Sequence, residues 1–149
     1  MPSFTTRRRV PYTPAQMFDL VADVERYPQF LPLCEGLTVR SREEQADRTV
    51  IVATMVAGYQ AIRESFTTRV TLIPAEPRVL VEYLDGPFRR LENRWLFKPV
   101  AGGAEVDFYI DYEFKNRILG ALMGSMFDRA FRMFSEAFET RADKIYAGS

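Results

Sequence analysis

The chain has no histidine. Without an imidazole its residues cannot assemble a Ser–His–Asp or Cys–His nucleophilic site, nor a metal centre built on imidazole ligands. Cysteine occurs once, as Cys34. That excludes an internal disulfide and a multi-cysteine metal site, and it suits a reducing compartment. Charge of one sign is not in excess: 20 basic and 20 acidic residues leave a formal net charge of zero. There is thus no global electrostatic footprint for nucleic acid, and DNA is not an expected partner. Lysine is scarce, with three against seventeen arginines; arginine suits planar pairing with carboxylates or phosphates. No apolar run approaches the roughly 20 residues that span a bilayer. No apolar stretch backs the basic N-terminal segment, so a signal peptide is not expected. These absences favour a cytoplasmic, non-enzymatic binding module with no metal and no cofactor.

What is present is apolar and aromatic. Of 149 residues 47% are hydrophobic, including twelve Phe, seven Tyr and one Trp. That is enough for one domain, residues 1–149, with a sizeable core. Residues 4–10 read as a strand. A helix is expected from Pro14 to Glu25, with Thr13 as N-cap and Pro14 where its missing N–H is harmless. After residue 36 the periodicity becomes two, giving strands at 37–44, 48–57, 62–73, 78–85, 89–98 and 104–114. The turns between them are marked by "EQAD", "AGYQ", "PAEP", "DGP" and "VAGGA". From Arg117 to Tyr146 the period returns to 3.6, with one long stripe from Leu119 through Leu122, Met126, Phe127, Phe131 and Phe138 to Ile145. The fold class is α+β. Seven antiparallel strands curve around a C-terminal helix, and a cavity is left where the curved sheet and straight helix diverge.

One segment fits no regular element. "DVERYPQFLPLCEG", residues 23–36, holds Tyr27, Phe30, Leu31 and Leu33 between and beside Pro28 and Pro32. Apolar residues in a proline-broken stretch are unusual, because loops normally run over wet surface.

The stretches "FDLVADVERYPQFLPLC" (18–34), "RESFTTRVTL" (63–72), "LDGPFRRLENRWLFKP" (84–99), "VDFYIDYEFKN" (106–116) and "RADKIY" (141–146) resemble the START-like, helix-grip superfamily. Within it they are similar to the coenzyme Q-binding family, whose bacterial members are labelled ribosome-association toxins or polyketide cyclase-like proteins. The resemblance implies a hydrophobic tunnel for ubiquinone or another isoprenoid lipid, a role in respiration as a quinone carrier or chaperone, and peripheral contact with the inner membrane. It leaves two alternatives: a ribosome-association toxin that binds the large subunit and blocks subunit joining, and a polyketide cyclase or aromatase. The family's Trp after the second Pro is Leu33 here. No mitochondrial targeting extension is read, which suits a bacterial chain.

In such a fold Met123, Met126, Phe127 and Phe131 would form the tunnel's helix wall. Phe66, Trp95, Phe108, Ile110 and Tyr112 would form its sheet wall. Plain core packing explains the same residues. Gly120 and Gly124 lie inside the helix, where each costs close to 1 kcal/mol against Ala; a close backbone approach or a hinge is expected there. Tyr27, Phe30, Leu31 and Leu33 are candidate lid residues, or a packed corner. Phe88, after the turn "DGP", is a further entrance candidate. Glu64 shares the strand phase of Phe66, and Asn93 that of Trp95, so both are candidates for a polar headgroup. Glu64 with Tyr112 is the acid–base pair that a cyclase would need. Arg7 and Arg9 are expected to face Asp107 and Asp111, flanked by Arg90, Arg94 and Lys98, with Arg8 pointing the other way. The remaining reading of that basic run is a surface for ribosomal RNA or anionic headgroups. Cys34 is expected to be passive.

Overall fold

A computed structural model describes residues 3–59 and 62–147. The chain runs β1 (Ser3–Val10), α1 (Pro14–Ala22), a 3₁₀ segment (Val24–Gln29), β2 (Cys34–Glu44), β3 (Thr49–Tyr59), β4 (Ile62–Ile73), β5 (Arg78–Asp85), β6 (Phe88–Val100), β7 (Gly103–Phe114) and α2 (Arg117–Tyr146). The strands form one antiparallel sheet in the order β1-β7-β6-β5-β4-β3-β2. First and last strands are therefore neighbours, as expected. The "AGYQ" turn falls partly outside the described residues.

Thr13 caps α1 with a reciprocal pair. Its hydroxyl oxygen accepts the Gln16 N–H at 3.1 Å, and the Gln16 side chain accepts the Thr13 N–H at 2.9 Å. The helix stops at Ala22 rather than Glu25. An α-helix continued through Pro28 would set the proline ring against the Val24 carbonyl and lose a hydrogen bond. The chain instead leaves helical geometry at Asp23 (φ −84°, ψ 69°) and tightens into the 3₁₀ segment. β2 begins at Cys34, earlier than residue 37. Bulges between Cys34 and Gly36 and between Val39 and Ser41 let this stretch pair with β3.

β7 shows the expected alternation, with Val106, Phe108, Ile110 and Tyr112 buried and the acidic residues between them turned outward. Phe108 and Phe138 meet the Trp95 ring at 4.7 and 5.0 Å between centroids, joining β7, α2 and β6. α2, about 45 Å long by its 30 residues, is capped by Asn116, whose side-chain oxygen accepts the Ile118 N–H at 2.7 Å. The stripe on α2 is shorter than its periodicity suggested. Phe127, Ala130, Phe131, Phe138 and Ala142 are buried, but Leu122 and Ile145 are exposed. Leu119 in the first turn still packs on the core, and Leu122 and Ile145 turn away from the sheet.

Candidate functional site

Between the concave face, α2 and the 3₁₀ segment lies a cavity of about 70 Å³. α2 contributes Phe131, Phe134 and Phe138. The sheet contributes Phe66, Thr68, Val70, Asn93, Trp95 and Ile110, with Leu37, Ala53, Met55, Val81 and Leu91 around them. The 3₁₀ segment and the loop after it close one side with Val24, Tyr27 and Leu31. The expected tunnel is thus a small cavity here, well below the roughly 300–1,000 Å³ of ordinary ligand clefts. Bulky aromatic side chains from α2 and β6 fill the remainder. A long-tailed ligand needs α2 or the 3₁₀ segment to move outward.

Four of the expected wall residues, Phe66, Trp95, Ile110 and Phe131, line the cavity. Phe108 does not, because Trp95 covers it. Tyr112 and Phe127 sit one layer behind the lining, packed against Phe131 at 4.9 and 5.8 Å, in an aromatic cluster with Phe88 and Phe114 whose rings lie 4.8 Å apart. Met126 is half-buried and absent from the lining. The Met123 side chain lies outside the described residues.

Of the lid candidates, Tyr27 and Leu31 face the cavity. Tyr27 donates its hydroxyl hydrogen to the Val21 carbonyl oxygen, and burial raises its pKa. Phe30 packs edge-on against Phe138 at 5.1 Å, with the Arg141 guanidinium over its ring, 5.1 Å from the centre. It lines a shallow outer groove with Pro32 rather than the cavity. Leu33 takes a left-handed conformation (φ 65°), strained for a leucine. Its carbonyl oxygen accepts the Gly58 N–H at 2.9 Å, which ties this loop to β3.

Phe88 is no entrance residue, for it is fully buried. The turn before it depends on Gly86 (φ 144°), where a Cβ would come within 2.6 Å of the Phe66 Cβ. A bulge between Phe88 and Arg90 turns Phe88 inward, and its backbone N–H donates to the Tyr83 hydroxyl at 3.0 Å. Glu64 has the inward phase but lies near the end of β4, half-buried and off the cavity. Tyr112 donates to the Gly124 carbonyl oxygen at 3.4 Å, and burial lifts its phenol to about 12. The acid–base pair that a cyclase would need is not assembled at the cavity. A Cβ at Gly124 would meet nothing within 4 Å, and one at Gly120 only the Phe114 side chain at 3.6 Å. Neither glycine is required by a close approach.

Asn93 does reach the cavity, with its amide already oriented. Its oxygen accepts the Trp95 indole N–H at 3.0 Å, and its nitrogen donates to the Tyr109 carbonyl at 2.9 Å. An amide has two donors and two acceptor sites, so one of each is left over. Sequence reasoning missed Thr68, a buried hydroxyl on the same wall. Its signal was there, since Thr68 shares the phase of Phe66 and Val70. No charged side chain is among the described residues that line the cavity. Cys34 is buried and its thiol is pushed up to about 11, far from a stabilised nucleophile.

The arginines mostly pair at the surface. Arg7 lies opposite Asp107 in register, 3.8 Å away. Arg9 lies opposite Glu105, not Asp111, because the register carries Asp111 beyond it. Asp111 belongs to Arg90, at 2.9 Å, and that guanidinium holds its carboxyl below the usual range. Lys98 bridges to Asp107 at 3.0 Å. Arg94 is not part of this stripe; it pairs with Glu92 at 3.2 Å and covers the Tyr109 ring. Arg8, pointing the other way, reaches Glu139 on α2 at 2.6 Å.

Residues 10–139 match the family model described as polyketide cyclase / dehydrase and lipid transport. The chain is 34% identical over 148 residues to the ribosome association toxin RatA of Escherichia coli strain K12, covering 99% of this chain and 90% of that protein. It is 32% identical over 136 residues to coenzyme Q-binding protein COQ10 homolog B, mitochondrial, of Xenopus laevis, covering 88% of this chain and 54% of that one. Among solved structures, an 18 kDa protein of Caulobacter crescentus superposes with a TM-score of 0.79 at 33% identity, with 99% of each chain covered.

Proposed function

The chain belongs to the polyketide cyclase / dehydrase and lipid transport family, and from that premise we propose that it binds a prenylquinone, without catalysis, between the sheet and α2. The observation that carries this reading is the cavity's chemistry. Among the described residues its lining is mostly aromatic and aliphatic, without charge, with polar groups at Tyr27, Thr68, Asn93 and the Trp95 indole N–H, the last already bonded to Asn93. Apolar burial contributes roughly 25 cal/mol per Å², enough to hold an isoprenoid tail without polar contacts. The spare Asn93 N–H and the Thr68 hydroxyl would each donate to a carbonyl oxygen. They stand on β6 and β4 with β5 between them, Asn93 level with Val70 and Thr68 two residues farther along, so their backbones are about 12 Å apart by strand spacing and rise. That separation suits a ring carrying carbonyls at opposite edges. Ubiquinone is a ligand in this reading, not a cofactor. A cyclase reading has less support, because no acid–base pair faces the space among the described residues.

Mass spectrometry of lipid extracted from natively purified protein, followed by titration with a short-chain ubiquinone, tests this. Trp95, the sole tryptophan and a cavity wall, reports through its fluorescence. We expect co-purified prenylquinone and saturable quenching. Thr68→Val is expected to weaken binding several-fold with little change in melting, as loss of one hydrogen bond implies. Absence of both quinone and quenching overturns the reading.

The second reading is ribosome association. It is favoured by the name of the Escherichia coli relative and by that relative's coverage of 99% of this chain.

A further inference from the structure

We propose that the first turns of α2, with the neighbouring β5–β6 hairpin, dock on the surface of an anionic lipid bilayer. Ile118 is 71% exposed and Leu122 62%. Spaced i and i+4, they share one face of the helix. The main chain joins this start of α2 to the hairpin, where the Lys115 N–H donates to the Pro87 carbonyl oxygen at 2.9 Å. Leu84, on β5 just before that turn, is also exposed. Paired large apolar side chains left in water on one helix face, as Ile118 and Leu122 are, mark an interaction site more often than isolated ones do.

The charge around them selects the partner. Residues 115–127, "KNRILGALMGSMF", contain no acid. Lys115 and Arg117 precede the apolar pair, and exposed Arg89 lies just past the turn. Asp85 is the one acid in the turn itself. The two acids that border the run are engaged: Glu113 with Arg90 at 2.5 Å, and Asp128 with Arg132 at 2.9 Å. A few exposed aliphatics beside cations that, among the described residues, outnumber the acids around them fit an interfacial helix on anionic headgroups. They are too few for a stable protein interface, which takes about 800 Å² from each partner. No described helix is long and apolar enough to cross a bilayer, so the contact is peripheral. It lies apart from the 23–36 segment, at the other end of α2 from Phe30 and Arg141. It would bring the protein to the phase in which an isoprenoid ligand resides, but it does not require that the cavity hold a quinone.

Flotation with phosphatidylcholine vesicles, with and without phosphatidylglycerol, tests the docking on the intact chain. We expect co-flotation with the anionic vesicles at low salt. Ile118→Ser with Leu122→Ser is expected to cut it at least tenfold, and Lys115→Gln with Arg117→Gln several-fold. Met133→Ser, an exposed apolar residue farther along the helix, is expected to leave it unchanged. Melting temperature and quinone quenching should be unaltered in every variant, so a failure of docking is separable from a failure of the cavity reading. No flotation of the parent chain, or equal flotation of both double variants, overturns the proposal. So does equal loss on Met133→Ser.

Discussion

Cys34 opens β2 with its thiol buried, and burial raises the thiol from its ordinary 9.0 to about 11. Tyr112 shifts the same way, from 10.0 to about 12. Each folded-state value lies above the unfolded one. The unfolded chain therefore ionises first as pH rises: the stability held by the neutral thiol is lost as pH climbs from about 9 through 11, and that held by the neutral phenol from about 10 through 12. Urea-unfolding midpoints should hold steady from about pH 7 to 8 and fall between about pH 9 and 11. Cys34→Ala should flatten part of that fall. A midpoint that rises over this interval contradicts the burial argument. The same burial predicts that Cys34 is alkylated far more slowly at about pH 8 in the native protein than in urea. Strand phase made most of these side chains legible from sequence: Phe66, Trp95 and Asn93 face inward as their parity requires. Parity says which face a side chain takes but not how far along the strand α2 reaches. Glu64 was misplaced for that reason. Phe88 was misplaced because a bulge between Phe88 and Arg90 breaks the strand's parity there, which no periodicity encodes.

The elements α1, β7 and α2 were readable because each has a cap or an alternation with one physical cause. The break at Asp23 was less so, since it follows from a proline one turn farther on. α2 raises the sharper question. Its two early glycines weaken the helix, yet a Cβ at Gly124 would meet open space. Packing does not ask for glycine there, so the hinge expectation is the one left standing. Gly124→Ala should therefore stabilise the fold by about 1 kcal/mol, raising the melting temperature by about 2–4 °C. If the first half of α2 must bend to widen a cavity of about 70 Å³, the same substitution should slow quinone uptake several-fold in stopped-flow quenching while leaving the final amplitude unchanged. Greater stability with unaltered uptake would mean that the ligand enters past Tyr27 and Leu31 instead.

At the scale of the whole molecule, the two readings of function differ in how they respond to salt. Binding to ribosomal RNA releases counterions, and its affinity falls steeply as salt rises. Burial of an isoprenoid in an uncharged cavity has no such term. The chain's net charge is zero, and many of its arginines are already committed: Arg7 to Asp107, Arg8 to Glu139, Arg63 to Glu35 and Arg90 to Asp111. Any RNA contact through these residues must first break those pairs. We therefore expect ubiquinone quenching of Trp95 to be the same at about 50 mM and about 200 mM salt, and co-sedimentation with the large ribosomal subunit, where seen at the lower salt, to be lost at the higher. Co-sedimentation that persists at about 200 mM, together with salt-independent quenching, would mean that the ribosome is met through protein or through shape rather than charge. The ribosome reading would then stand beside the lipid one, carried by a different face of the same fold.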